Sequence, residues 1–138
     1  MNYSLDPRSA DPRSQHGAPP APSKYVLRDK SFNFGLLVVK FLLSLNYKTF
    51  PLELRSQLIR SGTSIGANVE EADDSSSRRD FAHKIRIARS EAKETKYWLR
   101  IIREGKLLSS DPQMKTLEYL LNEVDQLIRI TSAILKQF

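Results

Sequence analysis

The 138-residue chain contains no cysteine and only two histidines. The absence of cysteine excludes disulfides, thiolate zinc sites and cysteine nucleophiles, and it suits the reducing cytoplasm. A di-metal centre of a helical bundle needs inward-facing Glu-x-x-His on two helices, whereas the single Asp-x-x-His here, Asp80 to His83, is expected to face outward. The other histidine, His16, stands near the N-terminus, so neither histidine is a candidate general base. We therefore expect no catalytic residue, no metal and no cofactor.

The chain also lacks an apolar run long enough to cross a bilayer. Its longest, from Phe34 to Leu45, is interrupted by Lys40 and Ser44, whereas a membrane-spanning helix needs roughly 20 apolar residues. Residues 1–30 contain no apolar stretch typical of a signal peptide. We therefore expect a cytoplasmic protein without a membrane partner.

No segment shows the alternation of apolar and polar residues that is typical of strands. Apolar residues recur instead at three- and four-residue spacing, which predicts helices. The predicted helices are 31–47, 51–72, 78–104 and 112–137. Ser77 and Asp111 suit N-cap positions, and Gly105 suits the position after a helix. Short links between such helices predict an all-α, up-down four-helix bundle over residues 25–138.

Proline is concentrated in the first 24 residues, which hold five of the seven prolines. The same segment repeats Asp-Pro-Arg-Ser at 6–9 and 11–14. It has too few apolar residues to offset the entropy lost on ordering. We therefore predict a disordered or extended N-terminal tail over residues 1–24, or an upstream extension of the reading frame with little role.

Poor helix formers crowd the segment 60–72, RSGTSIGANVEEA. A P-loop would need a lysine after its second glycine, and a serine nucleophile would need a neighbouring base; neither is present. The apolar row of Leu58, Ile65 and Ala72 continues through the segment, which predicts a helix with little side-chain bulk. Such a surface lets another helix approach closely. The residues expected to serve packing or assembly here are Gly62, Ser64, Ile65, Gly66 and Asn68. Asn68 falls on the core-facing row and is expected to fix the register of packed helices or of subunits.

Positive charge is concentrated on the predicted third helix. Residues 78–106 carry ten basic and four acidic side chains, a balance of +6 that equals the formal net charge of the whole chain. Seven of these cations fall in two rows of seven-residue spacing on one flank of the helix. We call them the basic stripe: Arg79, Arg86, Arg89, Lys93, Lys96, Arg100 and Arg103.

The basic stripe favours a polyanionic partner. Runs of charged residues usually form a solvent-exposed flank, and such a flank normally carries both positive and negative side chains, which limits repulsion. This flank is almost purely positive. Its length of about 36 Å is similar in scale to a run of backbone phosphates. The other flank mixes acidic and apolar residues, which is typical of an interface between helices or subunits. The apolar residues expected to serve packing or assembly there are Ile87, Trp98 and Ile101.

Two stretches in combination, RSGTSIGANVEEA at 60–72 and ARSEAKETKYWLR at 88–100, resemble a family of small bacterial four-helix-bundle proteins encoded in intervening sequences of 23S ribosomal RNA genes. The resemblance extends over the four predicted helices and leaves out the tail. It implies a ring-like homopentamer with no established catalytic activity or cofactor. A related branch comprises accessory proteins of diversity-generating retroelements, which present a basic surface to nucleic acid and to a reverse transcriptase.

Two functions are therefore open. The first is a non-enzymatic, homo-oligomeric bundle that binds RNA or DNA through the basic stripe. The second is an adaptor or accessory subunit, for example for a reverse transcriptase, or a structural assembly protein that binds no nucleic acid. The expected partners are copies of the chain and nucleic acid, with a reverse transcriptase as the protein alternative.

Overall fold

The computed structural model describes residues 24–138, which form four helices and no strand. The helices are α1 (Lys24–Leu43), α2 (Leu52–Asp73), α3 (Arg78–Glu104) and α4 (Asp111–Leu135). Each helix packs against the next, and α4 also packs against α1, which closes the bundle. The predicted all-α four-helix fold is confirmed. Apart from Lys24, the predicted tail lies outside the described residues.

The bounds of α1 differ most from the prediction. The helix begins at Lys24 rather than at residue 31, because Leu27 is fully buried although charged residues surround it in the sequence. It ends at Leu43 rather than at Tyr47, because Asn46 starts a turn in which its backbone carbonyl accepts a hydrogen bond from the Phe50 amide. The range of α3 agrees with the prediction at both ends.

The N-caps of α3 and α4 are serines. Ser77 begins α3 as predicted, and its Oγ accepts a hydrogen bond from the Asp80 amide at 3.0 Å. At the start of α4 the cap is Ser110, whose Oγ accepts from the Gln113 amide at 3.3 Å. The prediction of Asp111 as the cap was thus wrong by one residue, and Asp111 is the first residue of the helix.

The end of α3 uses its glycine in an unexpected way. Gly105 has a right-handed φ of −75°, and the left-handed residue is Lys106 with a φ of 54°. A Cβ at position 105 would lie 2.8 Å from the carbonyl oxygen of Ile101. Glycine is therefore needed here for space beside the helix end and not for a left-handed conformation.

The core is one apolar cluster to which all four helices contribute. Its fully buried large side chains include Leu27, Val38, Leu58, Ile65, Ile85, Leu99, Ile102, Leu120 and Leu127. On α3 all buried positions from Ala82 to Ile102 follow three- and four-residue spacing, so the opposite side of the helix faces outward along its whole length. The core thereby determines which cations of α3 are exposed.

The glycines of α2 face α1. A Cβ at Gly62 would lie 3.1 Å from Cγ1 of Val38, and one at Gly66 would lie 3.2 Å from the backbone of Ser31. Side chains larger than hydrogen at these positions would push the two helices apart. The close approach that small residues allow is therefore made to α1 of the same chain.

Asn68 does not link helices within the chain as expected. It is half-buried, and its Nδ2 donates to the backbone carbonyl of Ser64 in α2 itself at 2.8 Å. Val69 takes the buried position next to it, with 1% exposure. A buried polar contact between α2 and α3 is formed instead by the hydroxyls of Ser61 and Thr95, 2.9 Å apart.

Candidate nucleic-acid interface

The basic stripe lies on the outside of α3 in two rows. The outer row comprises Arg79, Arg86, Lys93 and Arg100, all of them exposed. The inner row comprises Arg89, Lys96 and Arg103, which lie nearer to α4; the first two are half-buried. Because seven residues make nearly two helical turns, each row keeps to one side of the helix. The outer row spans about 32 Å at 1.5 Å per residue.

The inner row is partly neutralised by α4. Lys96 Nζ lies 2.7 Å from Asp125 Oδ1, and Arg103 Nη1 lies 3.7 Å from Glu118 Oε2. Arg103 also pairs with Glu104 on its own helix at 3.1 Å. These side chains are more than a third exposed, and such surface pairs contribute between about 0 and 1 kcal/mol. A phosphate could therefore compete with these carboxylates for the inner row.

The outer row has no such partner. Within the part of the chain that the structure describes, Arg79, Arg86, Lys93 and Arg100 form no ion pair and no side-chain hydrogen bond, and neither does Arg89 of the inner row. Spacing in the sequence does not distinguish among the seven cations. The structure divides them into five without an acidic partner and two that are paired.

The flank of α3 that faces α2 is electrically balanced. Arg60 of α2 bridges two carboxylates of α3, with Nη1 at 3.2 Å from Glu91 and Nη2 bonded to Glu94. Further along, Lys84 Nζ lies 2.6 Å from Glu71 of α2. The flank of α3 that faces α2 thus has its positive charges paired, in contrast to the side that carries the basic stripe.

The pKa values of the two carboxyls at Arg60 are shifted in opposite directions, although Arg60 favours the ionised form of both. The hydrogen bond from Arg60 lowers the pKa of Glu94, and the same bond raises the pKa of Arg60. Burial raises the pKa of Glu91, because its side chain is less exposed than that of Glu94 and its contact with Arg60 is longer. The short Arg60–Glu94 bond is therefore the main link at this point between α2 and α3.

Three basic residues, two on α4 and one directly after it, extend the positive surface beyond the predicted set. Lys115, Arg129 and Lys136 are exposed, and Arg129 follows Asp125 by one helical turn. Their positions differ by multiples of seven, so they share one side of α4. The same spacing test that finds the basic stripe would have found them in the sequence.

The exposed aromatic residue beside the outer row is Tyr97. It is 54% exposed, lies between Lys93 and Arg100 on the helix surface, and contacts the Trp98 ring edge-on at 5.1 Å. An exposed aromatic ring among cations can stack on an unpaired base. The interface therefore offers many contacts to phosphates and one stacking position.

The residues expected to serve assembly occupy different environments. Ile65 is completely buried in the core. Trp98 is partly buried and packs against the core cluster. Ser64 is half-buried, and its hydroxyl donates to the carbonyl of Arg60 at 2.6 Å. Ile87 is half-buried, whereas Ile101 is 41% exposed. Of the three apolar residues on the flank opposite the basic stripe, Ile101 is thus the most accessible to another molecule.

Across residues 24–138, no three histidine, aspartate or glutamate side chains are grouped so as to hold a metal ion. The helices of this part of the chain also include none that combines the length and apolarity needed to span a bilayer.

Comparisons with known proteins identify relatives of this bundle. A family model described as 23S rRNA-intervening sequence protein matches residues 24–131. A similar solved structure is a protein of unknown function from the S23 ribosomal protein family of Bacteroides thetaiotaomicron VPI-5482, with 33% identity and a TM-score of 0.73. The alignment covers 82% of this chain and 97% of that chain. No curated protein matches the sequence.

Proposed function

The chain belongs to the family of 23S rRNA-intervening sequence proteins, and from this starting point we propose that it is a non-enzymatic protein that binds RNA or DNA through the basic stripe. The observation that supports the proposal is the outer row. Its four exposed cations stand in line without an acidic partner among the described residues. A row of phosphates would supply the missing negative charge.

The energetics favour a ligand that neutralises the row. Like charges three or four residues apart on a helix repel by a few tenths of a kcal/mol per pair, and Arg86, Arg89, Lys93 and Lys96 form three such pairs in succession. Contacts between cations and phosphates relieve this repulsion and release counterions. Phosphate contacts carry no sequence information, so the proposed binding is independent of sequence, with Tyr97 available for a stacked base.

We propose in addition that the protein acts as a homo-oligomer, with the pentamer that the family resemblance implies. Ile101, on the flank of α3 opposite the basic stripe, is 41% exposed, and an exposed apolar residue of this size suits a contact with a second copy. Assembly would repeat the basic stripe once per subunit. Several stripes on one nucleic acid would then add avidity to a modest affinity per subunit.

A binding titration across salt concentration tests the nucleic-acid proposal. Five unpaired cations predict a slope of log K against log salt of about −4.5 per subunit on duplex DNA and about −3.5 on single strands. The variant Arg86→Gln with Lys93→Gln should reduce the duplex slope by about 1.8 in magnitude. Its effect should be similar on unrelated sequences.

The matched control is Lys40→Gln with Lys48→Gln, which removes the same charge from exposed positions on and just after α1. Since α1 packs mainly on α2 and α4, the control should leave the slope nearly unchanged. Absence of binding at low salt, or equal effects of the two variants, contradicts the proposal. Stripe-dependent binding to an acidic protein in nuclease-treated extract, without affinity for RNA or DNA, would favour the adaptor role instead.

A further inference from the structure

The register of α3 against α4 determines which cations of the two helices are neighbours. Lys96 of α3 pairs with Asp125 of α4 at 2.7 Å. Seven residues further along α3, Arg103 pairs with Glu118, which lies seven residues back along α4. The helices are therefore antiparallel, and positions after Asp125 on α4 lie beside positions before Lys96 on α3.

Two cations, one on α4 and one directly after it, thus lie beside the first half of the basic stripe. The register places Arg129 between the levels of Arg89 and Lys93. Lys136 follows two helical turns later, at the level of Arg86. Both cations are exposed, and among residues 24–138 their side chains form no ion pair and no hydrogen bond.

Six cations are grouped at this end of the α3–α4 side. We call them the cationic patch: Arg79, Arg86, Arg89, Lys93, Arg129 and Lys136. The carboxylate one turn before Arg129, that of Asp125, is already paired with Lys96. The other end of the same side is nearly neutral, because four cations meet three carboxylates there: Lys96, Arg100, Arg103 and Lys115 with Glu104, Glu118 and Asp125. Positive charge is therefore concentrated in a compact patch that crosses two helices.

We propose that the cationic patch binds a double-stranded nucleic acid, with one phosphate backbone along α3 and the other along α4. The inference rests on the proposed function and adds to it a substrate class and two binding residues, Arg129 and Lys136. On α3 the patch is about 21 Å long, and packed helices lie about 8 to 10 Å apart. The two backbones of B-form DNA flank a major groove about 12 Å wide. Two lines of long, flexible cationic side chains at this separation can contact both backbones, whereas a single strand would occupy one line.

The aromatic residues near the patch also favour a duplex. Proteins that bind single strands stack the unpaired bases on exposed aromatic rings. Tyr97 lies towards the nearly neutral end of α3. At the other end, the Phe138 ring stacks on Phe81 at 5.6 Å and lies 4.6 Å from the guanidinium of Arg78, so its faces are occupied. The patch therefore offers donors for phosphates and no free ring for a base among the described residues.

A comparison of a duplex with one of its own strands tests the proposal. The probes are a short DNA duplex of mixed sequence and either of its strands, each titrated with the full chain across salt concentration. Arg129→Gln with Lys136→Gln should reduce the duplex slope of log K against log salt by about 1.8 in magnitude. The slope on the single strand should stay nearly unchanged. An RNA duplex of the same sequence, titrated in parallel, distinguishes the two kinds of duplex.

The charge-matched control is Lys106→Gln with Lys115→Gln. It removes two exposed cations where α3 ends and α4 begins, which is the nearly neutral end of the same side. Both slopes should stay nearly unchanged in this control, because these cations lie outside the patch. Far-UV circular dichroism and thermal melting of the two variants show that the bundle itself is unchanged.

The results that overturn this proposal differ from those that overturn the proposed function. An effect of Arg129→Gln with Lys136→Gln no larger than that of the control removes both residues from the site. An equal loss of slope on the duplex and the single strand, or tighter binding of the single strand by the unaltered chain, refutes the duplex as substrate. The proposed function itself fails if the unaltered chain binds neither probe, or if Arg86→Gln with Lys93→Gln leaves binding intact.

Discussion

Replacing Gly66 by alanine tests how closely α1 and α2 are packed. The new Cβ would lie 3.2 Å from the carbonyl carbon and oxygen of Ser31 and 3.4 Å from the amide nitrogen of Phe32. All three atoms belong to the backbone of α1, so no side chain can turn away to make room. The helix itself would have to move by a few tenths of an ångström.

The expected change in the free energy of unfolding is the difference between two effects. Alanine is favoured over glycine in a helix interior by about 1 kcal/mol. Overpacking a rigid contact costs about 1 to 3 kcal/mol. We therefore expect Gly66→Ala to lower the free energy of unfolding by about 1 kcal/mol, within a range from about 0 to 2.

Gly35→Ala is the matched control on the facing helix. Its Cβ would meet Gly62 and Thr63 at 3.6 Å, which is ordinary van der Waals contact. The higher helix propensity of alanine should then be the only effect, and it should raise the free energy of unfolding by up to about 1 kcal/mol. For a domain of this size, the two variants should melt about 8 °C apart.

Urea unfolding followed by circular dichroism at helical wavelengths measures both variants, and an unchanged dependence on denaturant shows that the same surface is buried. The reasoning is refuted if Gly66→Ala stabilises the protein as much as Gly35→Ala does. That result would mean that α1 can shift at Ser31 without loss of packing elsewhere.

Two further predictions concern the contacts between α2 and α3. Ser61→Ala should lower the free energy of unfolding by about 0.5 to 1.5 kcal/mol, because Thr95 keeps a second hydrogen bond to the carbonyl of Glu91 at 2.8 Å; a larger loss by urea unfolding would contradict this. In an NMR titration of side-chain carboxyl carbons, Glu91 should protonate at a higher pH than Glu94, because burial raises its pKa. In Arg60→Gln the pKa of both carboxyls should rise, with Glu91 still protonating at the higher pH. The lowered pKa of Glu94 means that its bond to Arg60 stabilises the fold above the ordinary glutamate pKa and is lost as the pH falls through the lowered value. The raised pKa of Glu91 acts in the opposite sense, because protonation relieves the cost of its burial.

The sequence predicts a helix well where periodicity and end signals agree. α3 has an unbroken row of buried positions and a serine cap, and its predicted bounds are correct. α1 lacks a clear start, because Leu27 stands among charged residues and is buried only through the packing of the helices into one core. Local signals could not reveal that burial.

The sequence also could not show which cations of the basic stripe are paired and which are unpaired. Lys96 and Asp125 are 29 positions apart, and only the packing of α3 on α4 brings them to 2.7 Å. Seven-residue spacing shows that cations share a side of a helix, but it does not show what the next helix places beside them. The same limit applies to Asn68, whose spacing is that of a core residue although its amide bonds within α2.

The hydroxyl groups of α2 change how its outer surface interacts with water. Thr63 donates to the carbonyl of Ile59 at 2.7 Å, and Ser64 donates to that of Arg60 at 2.6 Å. Their hydroxyl hydrogens are already used inside the helix, so these side chains can only accept a hydrogen bond from a molecule that packs on α2. Thr63 also presents its methyl group to Gly35 of α1. A hydropathy scale scores both residues as hydrophilic, yet on this helix they donate nothing to solvent, so the surface between α1 and α2 is less polar than the residue types suggest.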